Sequence, residues 1–91
     1  MRLVLIKWLD SFGCSTEWQR LEIKNPKPLI CRSVGWLLHD GDDCKVVVPH
    51  VTDLVNEETQ HQGCGDMTIP TKAILSIMDL QTEEDKSLDP A

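Results

Sequence analysis

From Leu29 to His39 the side chains alternate between two sides with a period of two, and this stretch constrains the fold more than any other part of the chain. Ile30, Val34, Trp36 and Leu38 fall on one side, and Cys31, Ser33, Gly35, Leu37 and His39 on the other, which is the pattern of a β-strand and not of a helix. Asp40-Gly41-Asp42-Asp43 then supplies a turn, because Gly41 can take a positive φ and the aspartates can bond their own backbone. Cys44 to His50 runs back through Val46, Val47 and Val48, with Pro49 at an end or edge where a missing amide is tolerated. A β-hairpin therefore spans 29–50, and the chain is expected to be mainly β.

Other elements arrange themselves around this hairpin. Leu3 to Leu9 is aliphatic, β-rich and too short for a typical helix, so it reads as a first strand. Thr16-Glu17-Trp18-Gln19 has the form of a capping box and points to a short helix over 17–23, with Trp18 and Leu21 on one face. Asn25-Pro26-Lys27-Pro28 breaks whatever precedes it. Residues 52–66 form a polar connection too long for a routine hairpin loop, and such loops are usually functional or mobile. Met67-Thr68-Ile69-Pro70 and Ala73 to Met78 read as two strands joined at Thr71-Lys72, with Ile69, Ile74 and Ile77 in the core. Residues 1–80 thus make one small β domain, and the acidic stretch 81–91 reads as a disordered tail.

At 91 residues the chain can close one core and no more. No apolar run approaches the roughly 20 residues of a membrane span, and Lys7 and Asp10 interrupt the signal-like start. A cytoplasmic protein is expected, with no membrane partner. The net charge of −6 is unevenly placed: residues 1–39 carry +3, 40–66 carry −6, 67–78 carry +1 and 79–91 carry −4. A nucleic-acid groove needs a clustered basic face, and here one could only come from Arg2, Lys7, Arg20, Lys24, Lys27 and Arg32 gathered by folding, so nucleic acid is not the expected partner.

Cys14, Cys31, Cys44 and Cys64 are even in number, but without a secretory signal a disulfide framework loses its compartment. Zinc ligation with His39, His50 or His61 is the other option, yet no Cys-x-x-Cys pair is present, and reduced thiols are expected. No cofactor or metal is called for. Cys64, between Gly63 and Gly65 and with His50 or His61 as a base, is the best nucleophile candidate, and Asp42-Asp43 and Glu57-Glu58 are the carboxylate doublets. Each has a plainer reading, a tucked thiol and solvated faces, so the chain is not expected to be an enzyme.

Five short strands with one long loop fit a small closed five-stranded barrel, which hides the edges an open sheet would expose. Residues Met67 to Ile77, an Ile-Pro strand end turning into Ala-Ile-x-x-Ile, resemble the last two strands of Sm-like and SH3-like small barrels. Ser33-Val34-Gly35-Trp36-Leu37, Val48-Pro49-His50 and Gln62-Gly63-Cys64-Gly65-Asp66-Met67-Thr68-Ile69-Pro70 resemble a group of short bacteriophage proteins, which implies a setting in the host cell cytoplasm.

Gln62 to Asp66 can serve as a ligand loop, because two glycines let backbone amides approach a ligand closely. In that arrangement Gly63 and Gly65 supply the backbone path, Asp66 and Thr68 orienting hydrogen bonds, Trp36 a stacking face, His50 a contact and Arg32 charge. A tight corner that simply needs glycine is the structural alternative. Three functional readings follow. The first is a non-enzymatic, homo-oligomeric barrel that sequesters a small anionic ligand such as a nucleotide defence signal at subunit boundaries. The second is an inhibitor or adaptor that grips a host protein through the acidic turn and loop, and the third is an Sm-like RNA-binding ring. Oligomerisation is expected because so small a core cannot hide Trp8, Trp18 and Trp36 together, leaving at least one indole for an interface.

Overall fold

The computed structural model describes residues 1–13, 16–22, 25–52 and 62–81. They form a mainly β structure whose principal sheet is five-stranded and antiparallel: β1 (Leu3–Asp10), β2 (Leu29–Asp40), β3 (Cys44–Val48), β6 (Met67–Pro70) and β7 (Ile74–Asp79). Two short strands, β4 (His50–Val51) and β5 (Gly63–Cys64), pair as a separate ribbon. The order across the sheet is β6-β3-β2-β1-β7, so the long hairpin lies at its centre. Among the described residues no helix is long and apolar enough to cross a membrane.

The predicted alternation decides which residues meet. On β2, Gly35 and Leu37 are buried and Cys31 and Ser33 half-buried, while Ile30, Val34 and Leu38 are exposed. The inward series packs with Val4 and Ile6 of β1, Val47 of β3 and Ile69 of β6, and Trp8, Ile74 and Ile77 lie against this cluster. Ile69, Ile74 and Ile77 therefore take the core positions expected of them. The sheet closes tightly on Gly35: a Cβ there would lie 2.7 Å from Val47 Cγ2 and 2.9 Å from the Val48 carbonyl oxygen.

The strands β6 and β7 sit at opposite edges yet are joined by a single 3₁₀ turn, Thr71–Ala73. In a flat sheet four interstrand spacings would separate them by about 19 Å, whereas three residues of 3₁₀ backbone advance only about 6 Å. The sheet must curl at that end. Thr71 anchors the corner, its amide donating to the Asp43 carbonyl at 2.9 Å and its hydroxyl to the Gly41 carbonyl at 3.2 Å. Inside the curl, Trp8 Nε1 donates to Ser33 Oγ at 3.0 Å, and Ser33 Oγ lies 4.0 Å from Met67 Sδ, two strands away. No ladder joins β6 to β7 among the described residues.

Two local expectations are corrected. No helix forms in the described part of 17–23; residues 16–22 are bends and irregular backbone, and the Glu22 amide donates only to the Arg20 carbonyl. Seven residues are too few to offset the cost of helix nucleation without a packed face, and Trp18 and Leu21 pack on nothing. Gly41 does not use a positive φ: the turn closes through the Gly41 amide donating to the Cys44 carbonyl at 3.1 Å, with Lys45 Nζ donating to both the Gly41 carbonyl and Asp40. The tail from residue 82 onward and the loop from 53 to 61 lie outside the described residues.

Candidate functional site

The β4–β5 ribbon brings part of the predicted ligand loop together. His50 is directly opposite Cys64, and Val51 opposite Gly63. Thr52 and Gln62 close the ribbon, the Thr52 amide donating to the Gln62 carbonyl at 2.8 Å and the Gln62 amide to Thr52 Oγ1 at 2.9 Å. Both glycines are needed for this corner. Gly65 has φ +79°, and a Cβ on it would come within 3.0 Å of Pro49 Cγ. One on Gly63 would lie 2.8 Å from the His50 carbonyl oxygen and 2.9 Å from Val48 Cγ2. Geometry of the backbone thus accounts for Gly63 and Gly65 without a ligand.

A cavity of about 200 Å³ opens between this ribbon and the sheet, lined by Met1, Leu38, Val48, Val51, Gln62, Gly63 and Asp66. Among its described lining residues Asp66 carries the one charged side chain, a carboxylate, so no cationic side chain favours an anion there. Trp36, half-buried, stands beside it as the cross-strand neighbour of Val48. Thr68 is exposed on β6 opposite Val46, and so shares the outer face with Val46 and Val48. Arg32 is not part of this corner: four residues of strand, roughly 13 Å, separate it from Trp36. His50, Gly63, Gly65 and Asp66 are gathered, Trp36 and Thr68 border them, and Arg32 belongs elsewhere.

Arg32 occupies the outer face of the β7-β1-β2 part of the sheet, where the register places Ser76, Lys7 and Arg32 side by side on three adjacent strands. Two cations are thus direct cross-strand neighbours, an arrangement that repels unless an anion bridges it. Neither forms an ion pair among the described residues, where the bridges are Arg2 with Asp40 and Asp79, and Lys45 with Asp40. Apolar rungs flank this polar one: Met78, Leu5 and Val34 on one side, Leu9 and Ile30 on the other. A β-bulge between Lys7 and Trp8 adds Leu75 to β7 next to the rung, the kind of irregularity that re-aims side chains at binding sites. Lys7 and Arg32 each interrupt an otherwise apolar stripe, so both cations were visible in the sequence; their pairing, and Ser76 beside them, required the strand register.

Among the described residues the thiols form no disulfide. Cys31 and Cys44 are half-buried and Cys64 exposed, all free, while Cys14 and His61 lie outside the described residues. Among the described residues no three of His, Cys, Asp and Glu come close enough to hold a metal ion. The chain matches no family model, and comparison with curated proteins and with solved structures found no match.

Proposed function

We propose that the protein is a non-enzymatic binding module that captures a small anionic ligand with an apolar body, a nucleotide being the fitting class, on the outer face of β7-β1-β2. The observation that carries this reading is the Ser76–Lys7–Arg32 rung, two cations with no ion pair among the described residues and a hydroxyl, set between apolar rungs. A phosphate there gains charge-assisted hydrogen bonds from both cations and relieves their mutual repulsion. The neighbouring Leu9 and Ile30, on the rung toward the Asp10–Leu29 end, offer apolar contact to a base or sugar face. The anion site assigned to the glycine loop moves, in this reading, to Arg32 and its neighbours.

The same reading takes the curled sheet as a closed small barrel of the Sm-like or SH3-like kind. It is supported by the strand order, by the three-residue link between the edge strands and by the Trp8–Ser33–Met67 contacts across the interior. A bacteriophage protein that sequesters a nucleotide signal in the host cytoplasm is the biological role this would serve.

Titration calorimetry against mono-, di- and cyclic nucleotides tests the proposal. Arg32→Ala and Lys7→Ala should each weaken binding at least tenfold, the scale of one lost charged hydrogen bond, while His50→Ala and Thr68→Ala leave it unchanged. Absence of heat with every nucleotide, or binding that survives loss of both cations, would remove the reading.

A further inference from the structure

The connection between β1 and β2 leaves the sheet at Asp10 and returns at Leu29, directly opposite each other in the ladder. Among the described residues it carries the most exposed apolar side chains: Trp18 at 104%, Leu21 at 96% and Phe12 at 71% of full exposure. Burial within the subunit leaves these three apolar side chains largely in water. Pro26 and Pro28 in its returning leg restrict the backbone and the residues before them to extended conformations.

The outer sheet face presents the complementary surface. Beyond the cationic rung, Leu5 lies between Val34 and Met78, and Leu3 beside Trp36. Val34 is 53% exposed, Met78 58% and Leu38, just past Trp36, 59%. A contiguous apolar face of this sort is uncommon on a protein that stays alone. The chain therefore contains both halves of an apolar contact, and neither half is satisfied among the described residues.

We propose that this face is covered by the arm of a second copy of the chain, in a reciprocal exchange about a two-fold axis. With the strands of the two copies antiparallel, the Asp10–Leu29 end of one, where its arm emerges, meets the Leu3–Trp36 end of the other, where the face is most apolar. The area suffices. Two aromatics at roughly 150–250 Å² each give an arm about 300–500 Å² before Leu21 is counted, and two arms with the matching sheet bury on the order of 1,200–2,000 Å², the range of specific stable interfaces. The cationic rung stays at the seam between copies, so this inference stands whether or not a nucleotide binds there.

Sedimentation velocity and the emission difference between wild type and Trp18→Phe test the exchange in the absence of any nucleotide. Wild type at about 10 µM should sediment at twice the 10.3 kDa chain mass, with Trp18 emission blue-shifted. Trp18→Ser with Leu21→Ser on the arm, and Val34→Asp on the face, should each raise the dimer dissociation constant at least tenfold with unchanged far-UV circular dichroism. A wild-type monomer, whether its Trp18 is solvated or buried within the chain, overturns the proposal. So does a dimer that persists in both the arm and the face variants. A dimer that binds no nucleotide removes only the ligand reading, and a nucleotide-binding monomer only this one.

Discussion

Substituting the two glycines of the β4–β5 corner separates a structural corner from a ligand clamp. At Gly65 the backbone lies at φ +79°, where an alanine is disfavoured by roughly 1–2 kcal/mol, and its Cβ would meet Pro49 Cγ at 3.0 Å. At Gly63 the obstruction is steric: the Cβ would sit 2.8 Å from the His50 carbonyl oxygen and 2.9 Å from Val48 Cγ2, an overpacking worth about 1–3 kcal/mol. For a domain of this size about 4–8 °C of melting temperature corresponds to 1 kcal/mol. Gly65→Ala should then melt roughly 4–16 °C below wild type, and Gly63→Ala by a comparable amount or more. Thr68→Ala, on an exposed side chain nearby, should stay within about 0.5 kcal/mol. Adding Val48→Ala to Gly63→Ala removes one of the two obstructing atoms and leaves the carbonyl, so the pair should be non-additive, with a coupling of about 0.5 kcal/mol or more. Thermal and urea denaturation read all of these. Melting of both glycine variants within about 2 °C of wild type, a shift corresponding to under 0.5 kcal/mol, would refute the steric argument and return the glycines to a functional role.

Three further outcomes are expected. Ile69→Ala, at a side chain 1% exposed between β3 and the core, should cost about 2–5 kcal/mol in denaturant unfolding. Trp8→Phe keeps most of the ring but loses the hydrogen bond to Ser33, and should cost about 0.5–1.5 kcal/mol beyond the change in ring volume; the same loss in a Ser33→Ala background should be smaller. Donation from Lys45, its charge, and the more distant Arg2 hold the Asp40 carboxyl below its ordinary pKa. A carboxylate depressed by folding contributes stability above its unfolded pKa of about 3.9, and that contribution fades as pH falls through the lower folded value. Asp40→Asn should therefore melt below wild type at pH 7, and the difference should shrink as the pH falls below the unfolded value of about 3.9.

Local chemistry made much of the fold legible before any coordinates. The period of two in β2, the aspartate-rich turn and the valines of β3 specify one hairpin, because slipping it by one residue would exchange Leu37 and Val47 with Val34 and Trp36 on the wrong face. Ile69, Ile74 and Ile77 were recognisable as core for the same reason. The capping box at Thr16 misled because a cap satisfies the end of a helix without supplying a face to pack, and Trp18 and Leu21 have none within the subunit. Gly63, Gly65, Asp66 and His50 lie together because they are close in sequence or opposed across a short ribbon. Arg32 lies apart from them, opposite Lys7, because distance along an extended strand grows by about 3.3 Å with each residue.

Strand identity, the hairpin and the inward-facing series were thus written in spacing and turn chemistry, which act over a few residues. The neighbours of each strand were not. That β1 lies between β2 and β7, that Lys7 stands between Arg32 and Ser76, and that the two edge strands converge on Thr71–Ala73 are consequences of long-range pairing. Pairing between distant segments is chosen by burial of the whole apolar set at once, Val4, Ile6, Leu37, Val47 and Ile69 together, and no window of sequence contains that sum.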